Sequence, residues 1–249
     1  MNLQKHCLVI LLFATMVAVG SASAASCSNA TLKGVWGFTF SGIGGDGTPR
    51  AIVGQATADG AGNLSGTLTK SKDGTIVTGT FTGTYSVAKN CTGSLTVTDQ
   101  DGEVRDANFV FDNSKKGFQT IQTDSGRVIS GFGLAQGAGT CGLTGKAATF
   151  ALNLTGSDNG YGPVAFVGQV ILDGKGNVSG SRTASVDGTI LTGSISGTYT
   201  ENANCTGSAQ VTPEGGSTNN FNFVVVNGGK ESLLIQTDNG SIVSGNMQQ

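Results

Sequence analysis

From residue 34 onward, apolar and polar positions alternate with a period of two. Between Thr75 and Val87, the residues Val77, Gly79, Phe81, Gly83 and Tyr85 share one face, while Ile76, Thr78, Thr80, Thr82 and Thr84 share the other. Trp36, Phe38 and Phe40 repeat the pattern, as do Ala107, Phe109 and Phe111. Successive side chains of a strand point to opposite sides, so these segments predict half-buried strands with one apolar face and one wet, threonine-rich face. No stretch sustains a helical period. Turn signals such as Asp59-Gly60-Ala61-Gly62-Asn63, Lys72-Asp73-Gly74 and Asp124-Ser125-Gly126 separate eight strands, expected at 34–42, 50–58, 63–70, 75–87, 92–99, 103–112, 117–123 and 127–135.

A shift of 114 residues superimposes the chain on itself without a gap. It aligns Cys27 with Cys141, Pro49 with Pro163, Cys91 with Cys205 and Ile121-Gln122-Thr123-Asp124 with Ile235-Gln236-Thr237-Asp238, with 44 identities in 109 positions. A period this long is a duplicated domain, because solenoid and propeller repeats are far shorter. The uncharged run Gln136-Gly137-Ala138-Gly139-Thr140 marks the boundary, giving domains at 25–136 and 137–249. Short connections make consecutive strands antiparallel neighbours, and eight of them can close on themselves and remove both exposed edges. The fold expected is therefore all-β: two tandem eight-stranded antiparallel up-and-down β-barrels, with two β-sandwiches as the alternative. An immunoglobulin-like sandwich fits poorly, since Cys27 has no room for a strand before it. An outer-membrane barrel needs an apolar outer band, and threonine occupies that face here.

Residues 1–24 read as a signal peptide: Lys5, an apolar run from Cys7 to Gly20, and small residues ending at Ala24. The run is too short to span a bilayer, so no membrane span is expected and the protein is read as secreted, to the periplasm or beyond. With 41 Gly, 14 Lys+Arg and 16 Asp+Glu, the chain has no basic tract, and nucleic acid is excluded as a partner. Its single His, His6, lies in the leader. The exported part then lacks Ser-His-Asp triads, Cys-His dyads and His-ligated metals. No catalytic residue, metal site or cofactor is assigned.

Export leaves four cysteines, two per copy at a spacing of 64. Oxidising surroundings predict disulfides, and Cys27–Cys91 with Cys141–Cys205 is the one pairing that each copy could form before duplication. In an eight-strand meander this bridge ties the N-terminal segment across one end as a plug. The Asp59–Asn63 and Asp173–Asn177 turns offer one carboxylate each, too few for calcium, and read as hairpin turns. Polar residues that both copies keep within strands are the candidates for ligand contact: Gln55 and Gln169, Tyr85 and Tyr199, Asn108 and Asn222, Gln122 and Gln236. A barrel of this size is filled by side chains or holds one small guest, and buried amides need partners that a guest or water can supply.

The strings Asp-Gly-x-Gly-Asn-x-Ser-Gly, Asp-Gly-Thr-Ile-x-Thr-Gly, Asn-Cys-Thr-Gly-Ser and Ile-Gln-Thr-Asp-x-Gly occur in both copies. In these the chain resembles exported proteins of uncharacterised function from soil bacteria such as acidobacteria. The strand count and meander are also similar to the allene oxide cyclase type of calycin-like barrel. That resemblance implies a lumen that receives an apolar molecule, without carrying over any catalytic residue. The leading functional expectation is a secreted, non-catalytic protein binding a small apolar or amphipathic ligand in each barrel. The alternatives are a structural or adhesive module of the cell surface or matrix, and a cofactor-free cyclase or isomerase in which Tyr85 or Tyr199 polarises the guest.

Overall fold

A computed structural model describes residues 26–249 except 138 and 140; the signal-peptide expectation falls outside the described residues. The first copy contains a 3-10 turn at Asn29–Leu32, then β1 (Gly34–Ile43), β2 (Pro49–Ala58), β3 (Asn63–Lys72), β4 (Thr75–Val87), β5 (Thr92–Asp99), β6 (Val104–Phe111), β7 (Gly117–Gln122) and β8 (Val128–Ala135). The second contains β9 (Ala148–Asp158), β10 (Gly162–Leu172), β11 (Asn177–Val186), β12 (Thr189–Glu201), β13 (Thr206–Pro213), β14 (Asn219–Val226), β15 (Glu231–Gln236) and β16 (Ser241–Gln248). Each set of eight pairs in chain order and closes, β1 on β8 and β9 on β16. The architecture is two closed antiparallel barrels, and the sandwich alternative falls away. Both disulfides join the expected cysteines, Cys27–Cys91 and Cys141–Cys205, each with a Cα–Cα distance of 5.0 Å.

Alternation fills each lumen as the sequence pattern requires. Trp36, Phe38, Phe81, Phe109 and Phe118 are buried in the first core, while Thr80, Thr82 and Thr84 face out of β4. At two cross-strand pairs the copies exchange large and small partners. Phe118 faces Gly133 across the ladder, where a Cβ would lie 2.3 Å from the ring; the equivalent pair is Ser232 and Met247. Leu95 opposite Ala107 becomes Ala209 opposite Phe221. Close packing makes the two members of such a pair change together.

The barrels pack side by side through their outer faces. Ala51 and Val53 of β2, with Phe132 and Leu134 of β8, meet Val224, Val226, Leu233, Ile235 and Ile242 of the second barrel. Polar bonds flank this patch: Gln55 Nε2 donates to the Asn204 carbonyl at 2.5 Å, Ser71 Oγ to the Ser241 carbonyl at 2.6 Å and Asn222 Nδ2 to Thr69 Oγ1 at 3.0 Å. Gly37 lets the sheets approach, since a Cβ there would lie 2.4 Å from Val226 Cγ1, and a buried, β-branched neighbour yields little. Gly37→Val is expected to cost about 1–3 kcal/mol in urea unfolding by overpacking. Its repeat mate Ala151 is exposed, so Ala151→Val should stay within about 0.5 kcal/mol.

Candidate functional site

One end of each barrel is closed by the chain that precedes it. In the first barrel the Cys27 amide donates to the Lys89 carbonyl at 3.2 Å and Asn29 Oδ1 accepts the Val87 amide at 2.8 Å. Leu32 is buried beneath, and its carbonyl accepts Trp36 Nε1 at 2.7 Å. Tyr85 Oη donates to the Asn29 carbonyl at 3.1 Å and accepts the Gly60 amide at 2.9 Å. In the second barrel Tyr199 Oη donates to the Leu143 carbonyl at 2.6 Å, and Glu201 accepts the amides of Leu143 and Thr144. Burial, with the neighbouring Asp59 or Asp173 carboxylate adding to it, pushes both phenols above their usual range. The tyrosines thus fasten the plugs. Tyr85→Phe should lower stability by about 1 kcal/mol and leave ligand uptake unchanged, as chemical denaturation and dye titration would register.

Above the plug, the first barrel encloses a cavity of about 240 Å³. Its wall is aromatic and aliphatic, with Trp36, Phe38, Phe40, Phe81, Leu95 and Phe118. Ala56, Ala58 and Ala107 leave the space that larger residues would take. At the other end, the hairpin ends bring charged side chains to a rim: Arg50, Lys70, Lys72, Arg105 and Arg127 against Asp46, Asp99 and Glu103. Lys70 Nζ lies 2.8 Å from Asp99 and 3.5 Å from Asp101, Arg50 is 2.6 Å from Asp46, and Arg105 pairs with Glu103. Burial alone would raise the Asp99 pKa, but the Lys70 ammonium and the backbone amides of Glu103 and Asp101 outweigh it and hold the carboxyl below its usual range. Hydrogen bonds from Thr48, then from Arg50, do the same for Asp46. With Asp101 beside Lys70, five cations face four carboxylates, which leaves this rim one net positive charge.

Just inside the rim lies Gln122, whose Oε1 is enclosed and has no hydrogen-bond partner among the described residues. A buried carbonyl left unpaired costs about 1–3 kcal/mol, which a donor entering the cavity would recover. In the mate of Gln122 the amide nitrogen is engaged: Gln236 Nε2 donates to Asp238 Oδ2 at 3.0 Å and Asn219 Oδ1 at 3.3 Å.

The second lumen differs where the first is open. It leaves only about 80 Å³. The rim positions Arg50, Lys70, Lys72 and Asp99 correspond to Val164, Ala184, Val186 and Pro213, and Ala56, Ala58 and Ala107 to Val170, Leu172 and Phe221. Arg182, at the position of Leu68, lies 5.4 Å above the Phe166 ring, and burial lowers its pKa.

Of the eight polar residues expected to contact a guest, Tyr85, Gln122, Tyr199 and Gln236 point inward, and Gln55, Asn108, Gln169 and Asn222 do not. Their inward neighbours are Ala56, Ala107, Phe109, Val170, Phe221 and Phe223, so alternation places these four amides on the outer surface. Gln55 and Asn222 serve the barrel–barrel contact, and Asn108 and Gln169 are exposed. The rim charges, absent from that expectation, carry a sequence signal of their own: at Arg50, Lys70, Lys72 and Asp99 the second copy has Val164, Ala184, Val186 and Pro213.

The Asp-Gly-x-Gly-Asn turns are self-satisfied. Asp59 Oδ1 accepts the amides of Ala61, Gly62 and Asn63, and Oδ2 accepts Asn63 Nδ2 at 2.7 Å. These bonds, that of the Asn63 side chain foremost, hold the carboxyl well below its usual range, and Asp173 is arranged alike. Among the described residues no helix is long and apolar enough to cross a membrane. The chain matches no protein-family model and no curated protein sequence.

Proposed function

We propose that this is an exported, non-catalytic binding protein whose first barrel holds one small amphipathic molecule. The apolar body lies among Trp36, Phe38, Phe81 and Phe118, and a polar, negatively charged end reaches the rim. The observation that carries this reading is the aromatic-walled cavity of about 240 Å³ opening at a rim with Arg50, Lys70, Lys72, Arg105 and Arg127. Its size lies just below the usual range of about 300–1,000 Å³ for ligand pockets, which sets the guest as small. The second barrel, with about 80 Å³, has the same topology and serves as the packing partner. Cys27–Cys91 and Cys141–Cys205 accord with an oxidising compartment.

Titration with an environment-sensitive anionic dye, displaced by straight-chain carboxylates of graded length and by the matching alcohols, tests the proposal. Affinity should rise with chain length until the cavity is filled and then drop, and each carboxylate should outcompete its alcohol. Absence of dye uptake, or equal displacement by all lengths, would refute it.

A further inference from the structure

The contact between the two barrels is heterologous: the β1–β3 side of the first meets the β14–β16 side of the second. Because the barrels are copies, each also carries the face that the other uses, and among the described residues nothing covers either of these remaining faces. On the second barrel, the mates of Val53, Gln55 and Thr69 are Val167, Gln169 and Thr183, identical in type and exposed. On the first, the mates of Asn222, Val224, Ile235 and Ile242 are Asn108, Val110, Ile121 and Val128. Their equivalents Val224, Ile235 and Ile242 are 4%, 0% and 4% accessible in the internal contact, whereas Val110, Ile121 and Val128 are 47%, 53% and 74% accessible.

We propose that a second copy of this chain covers these faces, the β9–β11 side of one molecule docking on the β6–β8 side of the next as the two barrels dock within one chain. Val167 would then lie against Val110 and Ile121, Asn108 would donate to Thr183, and Gln169 would reach the Asn90 carbonyl, reproducing the internal pairs of Val53, Asn222 and Gln55. This gives the outward amides retained by both copies a shared role, internal in one copy and intermolecular in the other. The free faces are the weaker version. Asp112 and Gln119 stand where the internal contact has Val226 and Leu233, Asn246 and Gln248 where it has Phe132 and Leu134, and Ala151 replaces Gly37. Association is accordingly weaker than the internal contact and governed by concentration. Head-to-tail contacts of this kind propagate into chains or rings.

Sedimentation velocity of the purified protein over rising concentration reads this out, with circular dichroism as the check on folding. The wild type should show a sedimentation coefficient that climbs with concentration. Val167→Glu and Ile121→Glu, both at exposed positions, should each abolish the climb. An equimolar mixture of the two variants should form a dimer and stop there, because each supplies the face that the other lacks. A wild type that stays monomeric to about 1 mM, association that survives either substitution, or a mixture that remains monomeric would overturn the proposal.

Discussion

Replacing Ala107 by Phe should abolish uptake of ligand by the first barrel while leaving the barrel folded. The side chain of Ala107 faces the cavity between Leu95 on β5 and Gln122 on β7. In the second barrel Phe221 holds this place, but there the neighbour on the adjoining strand is Ala209, which gives the ring room. With Leu95 retained, the new ring must turn into the cavity and occupy the guest's space. Dye affinity should fall at least about tenfold, equivalent to 1.4 kcal/mol. The cavity absorbs the added volume, so the overpacking cost stays toward the lower end of about 1–3 kcal/mol. Leu95→Ala/Ala107→Phe, which copies the second barrel, separates the two effects: it should relieve the strain without restoring full affinity. Undiminished dye binding in Ala107→Phe would place the guest elsewhere.

The largest stability change is expected from the disulfides. Cys27→Ser/Cys91→Ser opens a loop of 64 residues, and chain entropy assigns such a closure about 4 kcal/mol. That is a large share of the 5–15 kcal/mol or so that holds a typical domain folded. The bridge also holds the plug: Cys27 leads directly into the 3-10 turn whose Leu32 forms the floor of the cavity. Dye affinity should therefore weaken together with stability, whereas Cys141→Ser/Cys205→Ser should spare it. Guanidinium unfolding of the two variants beside the wild type measures both. A loss under about 1 kcal/mol would mean that the plug is held by the hydrogen bonds of Asn29 and Tyr85 and not by the bridge.

Strand positions, the duplication and the cysteine pairing were legible in the sequence because each depends on local periodicity or on spacing within one copy. β4 and β5 begin and end where alternation and turn residues place them, and the other strands shift by only one or two residues. The guest-facing residues were less legible for a definable reason. Retention by both copies was the criterion that singled out Gln55 and Asn108, yet alternation with Ala56 and Phe109 already assigns them to the outer face. What both copies keep includes the means by which barrels pack on one another. The proposed site lies where the copies part: Arg50 against Val164, Lys70 against Ala184, Asp99 against Pro213 and Ala107 against Phe221. The packing of one barrel on the other depends on outer-face contacts between distant strands, such as Gly37 beneath Val226, and no local pattern announces it.

Native mass spectrometry of the protein saturated with a medium-chain carboxylate decides whether one amphipathic guest enters the first barrel and none the second. The structure predicts one bound molecule per chain, lost in Ala107→Phe and unchanged in Tyr199→Phe. Two molecules per chain, or one that persists in Ala107→Phe, would contradict it.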